Sequence, residues 1–302
     1  MKDSAFFKPN LDRLSRHLQK ISRERNFETA PDTLREVQHY LKEELLSYGF
    51  RIQEKDFLFS GQRFSNLVAS LEIDSKAPRL IVGAHFDSVP GSPGADDNAT
   101  GVAALLEAAR IYSEFQKRES PSANRGKVSV EFVAFNLEEY GMMGSQTYAR
   151  QLKKEGVPVE GMLSLEMIGY ASEGAGSQKM PFFLKPFYPN VGNFIGLVAN
   201  TQSAGWLKKV KKIFSTVEGL AVESLVLPAN GWVFPDARLS DHSPFWDEGF
   251  PALLVTDTSF YRNPYYHSEE DRIETLDLEF LSRVTEAVSR TIYDFTCVRD
   301  HP

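Results

Sequence analysis

The sequence predicts an α/β fold: a mixed, mostly parallel central sheet flanked by helices on both faces. Three observations predict it. Strand-like runs alternate with helical periodicities along most of the 302 residues, the order that buries a parallel sheet between helices. The run Leu80-Ile81-Val82-Gly83-Ala84 is apolar almost throughout instead of alternating, as in a strand covered on both faces. Hydrophobic content of 42% and charged content of 25% are those of an ordinary globular chain, long enough to bury a substantial core.

The elements follow in order. Leu11, Leu14, Leu18 and Ile21 recur at helical spacing, as do Leu34, Val37, Leu41 and Leu45, with Gly49 placed to stop the second helix. Residues 50–59 and 65–73 read as strands, followed by the apolar strand at 80–84. From Thr100, residues Val102, Leu105, Leu106 and Ala109 mark a helix; Val128 to Phe135 is a strand, and a helix runs from Gly144. Met162 to Met167 and Ala252 to Thr256 supply short strands, and Leu281, Val284, Val288 and Ile292 a closing amphipathic helix. Stretches at about 171–192 and 227–240, rich in Gly, Pro and Phe, are placed as loops over the ligand-binding end of the sheet. No linker, repeat or low-complexity tract divides the chain, so one domain over residues 1–302 is expected.

Composition removes several function classes. A net charge of −7 argues against a nucleic-acid surface, which needs clustered Lys and Arg. The single cysteine, Cys297, allows no internal disulfide and no cysteine-based zinc site. No segment approaches the ~20 apolar residues of a membrane helix, and the opening Met-Lys-Asp-Ser-Ala-Phe-Phe-Lys lacks the apolar core of a signal peptide. A cytoplasmic location is therefore the default, and a secreted or periplasmic one follows if a leader has been removed. The triplet Asn98-Ala99-Thr100 is read as a chance glycosylation match. Helical H-E-x-x-H, G-x-S-x-G, phosphate-loop and C-x-x-C patterns are all absent from the sequence.

Metal-type ligands instead sit in separated pieces, each just past a strand-like run: His85, Asp97, Glu139, Glu166 and a late histidine. Three carboxylates packed together repel one another unless cations offset them, and two divalent ions sharing one carboxylate would do so. In His85-Phe86-Asp87, residues i and i+2 share a strand face, placing Asp87 to take the second N–H of a metal-bound imidazole. Asp96-Asp97-Asn98 turns a small-residue loop into a helix, and its acids suit either a helix cap or a cation. Glu138 and Glu139 end an apolar strand; in extended backbone they point oppositely, so that one ligates while the other reaches a bound water. Glu166 lies inside an apolar run, where an unpaired carboxylate is expensive. Spacing alone does not choose between His242 and His267; His17, His39 and His301 read as structural or terminal.

Taken in order, these segments resemble the di-zinc aminopeptidase family, metallopeptidase family 28, which includes leucine-type aminopeptidases, glutamate carboxypeptidases and glutaminyl cyclases. The resemblance runs from about Asn66 to Leu276, and its fold, shared with phosphorylase/hydrolase-like proteins, is the sheet described above. It implies two zinc ions, with Asp97 bridging, His85 and Glu166 on one, and Glu139 and His267 on the other. Glu138 is implied as general base and Asp87 as the partner of His85, with Asp241 and His242 beside the site. It also makes Asp97–Asn98 a candidate non-proline cis bond. One departure stands out: many members carry Asp where this chain has Glu166, and the longer arm bears on metal spacing.

The implied function is a zinc-dependent exopeptidase, foremost an aminopeptidase acting on peptides with a free N-terminus through a metal-activated water. A single-zinc glutaminyl cyclase is the alternative, and a non-catalytic binding relative a third reading. Phe182, Phe183, Phe187, Tyr188, Trp232 and Phe234 crowd the two loops and suit either an apolar pocket or loop packing. Tyr265 and Tyr266 are both candidates to stabilise an oxyanion. Oligomeric state is not legible.

Overall fold

Helices α1 (Leu11–Ile21) and α2 (Pro31–Ser47) form where leucine recurs every three to four residues. Asn10 caps α1 by accepting the Arg13 N–H at 3.0 Å. Pro31 opens α2, where a missing N–H costs nothing. Gly49, at φ 95°, turns the chain into the sheet. The computed structural model describes residues 4–71, 76–118 and 128–297. His301 and the end of the strand expected at 65–73 lie outside the described residues.

Eight strands form one sheet: β1 (Arg51–Phe59), β2 (Gln62–Ser70), β3 (Arg79–His85), β4 (Ser129–Phe135), β5 (Val159–Glu166), β6 (Phe194–Asn200), β7 (Ala221–Leu227) and β8 (Ala252–Thr256). Their spatial order is β1-β2-β4-β3-β5-β8-β6-β7. The central four, β4, β3, β5 and β8, run parallel, and β2 and β6 flank them antiparallel. This is the mixed, mostly parallel sheet expected. The remaining helices are α3 (Gly101–Arg118), α4 (Met143–Lys154), α5 (Ala204–Phe214), α6 (His242–Asp247) and α7 (Leu278–Thr296). The sequence reading assigns neither β6, α5 and β7 nor α6.

Both faces of the sheet are covered. Leu80, Val82, Leu163, Leu165, Leu197 and Val255 pack on one side against α1, α2, α3, α5 and α7. Ile81, Val133, Phe135, Met162 and Ala252 pack on the other against α4 and α6, through Tyr148, Leu152, Phe245 and Trp246. At about 25 cal/mol per Å² of apolar surface removed from water, these two layers hold the strand ends in fixed register. Because β3, β4, β5 and β8 share a direction, their carboxyl ends open on the same edge.

Candidate metal centre and active site

That edge gathers the chemistry. His85 is the last residue of β3 and Glu166 the last of β5. Glu138 and Glu139 lie in the turn after β4, Asp97 in the turn leading into α3, and His267 in the loop after β8. The backbone bends sharply there: Leu137, Met167 and His267 adopt φ of 57°, 47° and 57°, a left-handed conformation unfavourable for side chains with a Cβ. The bend at Leu137 changes one expectation. Glu138 and Glu139 are not neighbours on an extended strand with opposite faces; the turn delivers both carboxylates to the same cavity.

Asp97 sits at the centre. Its Oδ1 is 3.2 Å from His85 Nε2, and its Oδ2 is 3.2 Å from His267 Nε2. On the first side, Glu166 Oε1 stands 3.4 Å from His85 Nε2; on the second, Glu139 Oε2 stands 3.3 Å from His267 Nε2. Glu138 Oε2 lies 4.0 Å from His85 Nε2. His85, Asp97 and Glu166 form one group able to offer converging ligand atoms, and Asp97, Glu139 and His267 another, with Asp97 common to both. His85, Asp97 and Glu166 are buried, Glu138 and Glu139 are partly buried, and His267 stands at the exposed mouth of the site.

Two aspartates hold this arrangement through the main chain. Asp87 Oδ1 accepts the Glu138 N–H at 3.1 Å and Oδ2 the Glu139 N–H at 3.2 Å, while its Oδ1 lies 3.5 Å from His85 Nδ1. Asp271, which sequence reasoning missed, does the same for Asp96 and Asp97, accepting their N–H groups at 2.9 and 3.1 Å. It follows two glutamates in a run that looks solvated, so no local signal marks it. Asn98 takes the capping task, its Oδ1 accepting the N–H groups of Gly101 and Met167 at 3.1 and 3.2 Å. That leaves the Asp97 carboxylate free to face the histidines. The Asp97–Asn98 bond is cis. Gly94 is at φ 58°, and a Cβ there would meet the Asp97 carbonyl at 2.3 Å, so only glycine fits.

Two further residues escaped the sequence reading. Arg25 is fully buried and donates to the carbonyls of Phe86, Pro93 and Gly94 at 2.7, 2.6 and 2.9 Å, pinning the loop between His85 and Asp97 from beneath. Ser240 donates to Glu166 Oε2 at 2.8 Å. Asp241 is buried near the cluster with neither carboxylate oxygen hydrogen-bonded, and burial pushes it up to about 7. His242 is not part of the cluster: Nε2 meets the Ala237 carbonyl at 2.8 Å and its ring lies edge-on to Trp246. His17 pairs with the Tyr40 hydroxyl at 2.7 Å, and exposed His39 with Glu43.

Charge in the cluster is unbalanced. Burial pushes Glu138 well above the usual carboxylate range, with Glu166 and Glu139 adding repulsion against the pull of His85. Burial and then Asp97 lift Glu139 to about 7. Asp97 behaves oppositely: despite its burial, His267 and His85 hold it below its ordinary value. Burial would lower His85, yet Glu166 and Glu138 raise it well above normal. Glu139 Oε1 is buried without a hydrogen-bond donor. Imidazole and carboxylate donors converging at a largely buried site are a zinc-type ligand set, and a divalent cation would offset the repulsion. The residues fit such a group.

The cluster forms one wall of a cavity of about 290 Å³. Of the loop aromatics, Tyr188 and Phe234 line it, with Met180, Leu184 and Leu239. Phe182, Phe187 and Trp232 point to solvent; Phe183 packs edge-on to Phe234, and the Arg238 guanidinium covers Trp232. Of the two adjacent tyrosines, Tyr266 faces the cavity, its ring stacked on His267 at 3.7 Å.

With this geometry in view, the comparisons with known proteins are decisive. The family model described as peptidase family M28 matches residues 66–292. The chain belongs to peptidase family M28. Within that family, it is 34% identical over 277 residues to YfbL of Escherichia coli K12, an uncharacterized protein, covering 87% of this chain and 81% of that one. It is 29% identical over 225 residues to leucine aminopeptidase 1 of Ajellomyces capsulatus, covering 71% of this chain and 52% of that one, so the M28 chain spans about half that relative's length. In fold it is similar to the LapA aminopeptidase of Legionella pneumophila, with TM-score 0.76 at 22% identity over 98% of this chain and 75% of that one. The zinc aminopeptidase BSAP of Bacillus subtilis superposes with TM-score 0.58 at 24% identity, covering 81% and 53%. The glutaminyl cyclase of Porphyromonas gingivalis superposes with TM-score 0.69 at 22% identity, covering 95% and 98%.

Proposed function

We propose that this M28 protein is a zinc-dependent aminopeptidase that removes residues from the free N-terminus of peptides. The observation that carries the reading is the placement of Asp97 between two imidazoles, each flanked by a second carboxylate, on the wall of an apolar cavity. His85, Asp97 and Glu166 would hold one zinc ion, and Asp97, Glu139 and His267 a second. Bound there, divalent cations supply Lewis acidity, lowering the pKa of water and polarising a carbonyl.

The chain's own residues supply the rest. Glu138 reaches the edge of both groups without belonging to the two that share Asp97. Asp87 holds its backbone, and burial raises its affinity for a proton, which makes its ionised carboxylate a stronger base. Such a group takes a proton from water and delivers it to the departing amine. The concentration of anionic oxygens favours a cationic α-amine at this end of the cavity, which supports exopeptidase over endopeptidase action. Tyr266 is positioned beside His267 to donate to a developing oxyanion.

The likeness to a glutaminyl cyclase supports a second reading, ring closure of an N-terminal glutamine. Two measurements separate them. Zinc-loaded protein should release free amino acid from aminoacyl-nitroanilides at two zinc ions per chain. Ammonia release from a glutaminyl peptide at one zinc per chain, without nitroanilide cleavage, would reverse the assignment.

A further inference from the structure

The cavity extends well beyond the residues that carry the chemistry. Four residues lie in register across adjacent strands: Glu166 opposite Thr256, Thr256 opposite Gly196, and Gly196 opposite Glu223. Directly opposed residues project from the same face of a sheet, and all four line the same cavity. The row therefore runs from the metal-type cluster at Glu166 to a carboxylate on the far edge strand, three strand spacings or about 14 Å away. Thr256 is small and Gly196 has no side chain, so nothing from the sheet stands between the two ends. The next row, Leu254, Val198 and Leu225, gives the same floor an apolar surface. Met180, Leu184 and Phe234 supply the walls.

Glu223 is half-buried and shares this cavity with a second acid, Asp236, whose Oδ2 accepts the Tyr261 hydroxyl at 2.5 Å. Among the described residues, no Lys or Arg forms an ion pair with Glu223. The neighbouring Arg238 is engaged with Asp247 at 2.7 Å and with the Trp232 ring. Lys211, on the adjoining helix, donates to Ser224. A half-buried carboxylate at the end of an apolar wall, without a cation paired to it, is open to the cationic end of a ligand whose stem lies along that wall.

We infer that this cavity selects N-terminal lysine and arginine: the aliphatic stem lies over Gly196 and Thr256 against the apolar walls, and the cationic head meets Glu223. Both side chains suit such a channel, burying the stem while the head keeps a charged partner. A leucyl side chain ends short of Glu223, and an acidic one is repelled by both carboxylates. The assignment rests on the aminopeptidase reading and adds its substrate class.

The test is kcat/KM of the zinc-loaded protein on lysyl-, arginyl-, norleucyl- and leucyl-aminomethylcoumarins, norleucine matching the lysine stem without its charge. The lysyl and arginyl substrates should exceed the norleucyl one about ten-fold or more, the scale of a hydrogen bond to a charged group. In Glu223→Gln the lysyl-to-norleucyl ratio should fall about ten-fold, and in Glu223→Lys it should invert. Each ratio is taken within one protein, so a general loss of activity cancels. A wild-type preference for norleucine, or a ratio unmoved in both variants, overturns the pocket assignment while leaving the aminopeptidase intact. No turnover of any aminoacyl substrate would overturn the aminopeptidase reading and the pocket with it.

Discussion

Asp271 grips Asp97 through the main chain, its Oδ2 accepting the Asp97 N–H at 3.1 Å while Oδ1 holds the preceding residue at 2.9 Å. The carboxylate that faces both histidines is thus aimed by another carboxylate that touches neither. Residues of this kind typically alter metal affinity 10–100-fold when removed. Asp271→Asn turns an amide N–H₂ toward a backbone donor, so zinc affinity, measured by chelator competition, should fall within about that range. An unchanged affinity would show that the Asp97 turn holds itself.

Glu138→Gln should keep zinc bound and lose about 10²–10⁴-fold in kcat, the usual contribution of a general acid–base group. Retention of more than about a tenth of wild-type kcat would remove Glu138 from that role.

Chelation should abolish turnover and lower the thermal midpoint together, with zinc restoring both. A ligand held at about a thousand times its dissociation constant stabilises the folded state by about 4 kcal/mol. Calorimetry with and without chelator reads the shift; identical midpoints would mean that the cluster holds no structural cation.

Arg25 sits fully buried among carbonyl oxygens of the loop that joins His85 to Asp97. Arg25→Lys keeps the charge but not the fork that reaches several carbonyls at once. The loss should be about 1–3 kcal/mol, the cost of leaving a buried carbonyl without its donor, read as a lower urea midpoint at unchanged m-value. A midpoint within error of wild type would contradict it.

Two histidines set an acid limit on stability. Burial lowers His17 and His242 to about 3 from an ordinary 6.5. In that window the unfolded chain takes up protons that the folded chain refuses, so stability falls as pH drops from about 6.5 toward 3, by about 1.4 kcal/mol per pH unit for each imidazole. Above the window neither state binds the proton and the effect is flat. His17→Asn should flatten the stability slope by roughly one imidazole's share; an unaltered slope would place the acid sensitivity elsewhere.

Much of this was legible in the sequence because periodicity and strand-end chemistry coincide. The leucine spacing marks α1, α2 and α7, and the unbroken apolar run marks β3 as central. The family pattern points to His85, Asp97, Glu138, Glu139, Glu166 and His267, which the structure brings together. The region between 193 and 226 was not assigned: β6 carries Gly196 mid-strand, and β7 is an edge strand with only one fully buried position, so neither presents a strong period. Asp271 and Arg25 were missed for a different reason. Each sits in a charged run, and only tertiary contacts turn a solvated-looking residue into a buried one. Which of the loop aromatics line the cavity stays open in the sequence, because exposure in a loop depends on which way the backbone turns, which composition does not encode.

The strand order carries a consequence for how the molecule is made. β8 is the last strand in sequence, yet it lies between β5 and β6. While a ribosome is still extending the chain toward residue 252, the β6–β7 pair has no edge to dock on, and Glu166 faces a gap. Late, long-range closure of this type is slow and leaves unpaired edges exposed. The keystone strand also carries the chain onward to His267 and Asp271, so assembly of the sheet and assembly of its chemistry finish in one event. No N-terminal fragment ending before it should turn over peptides, however well its helices form.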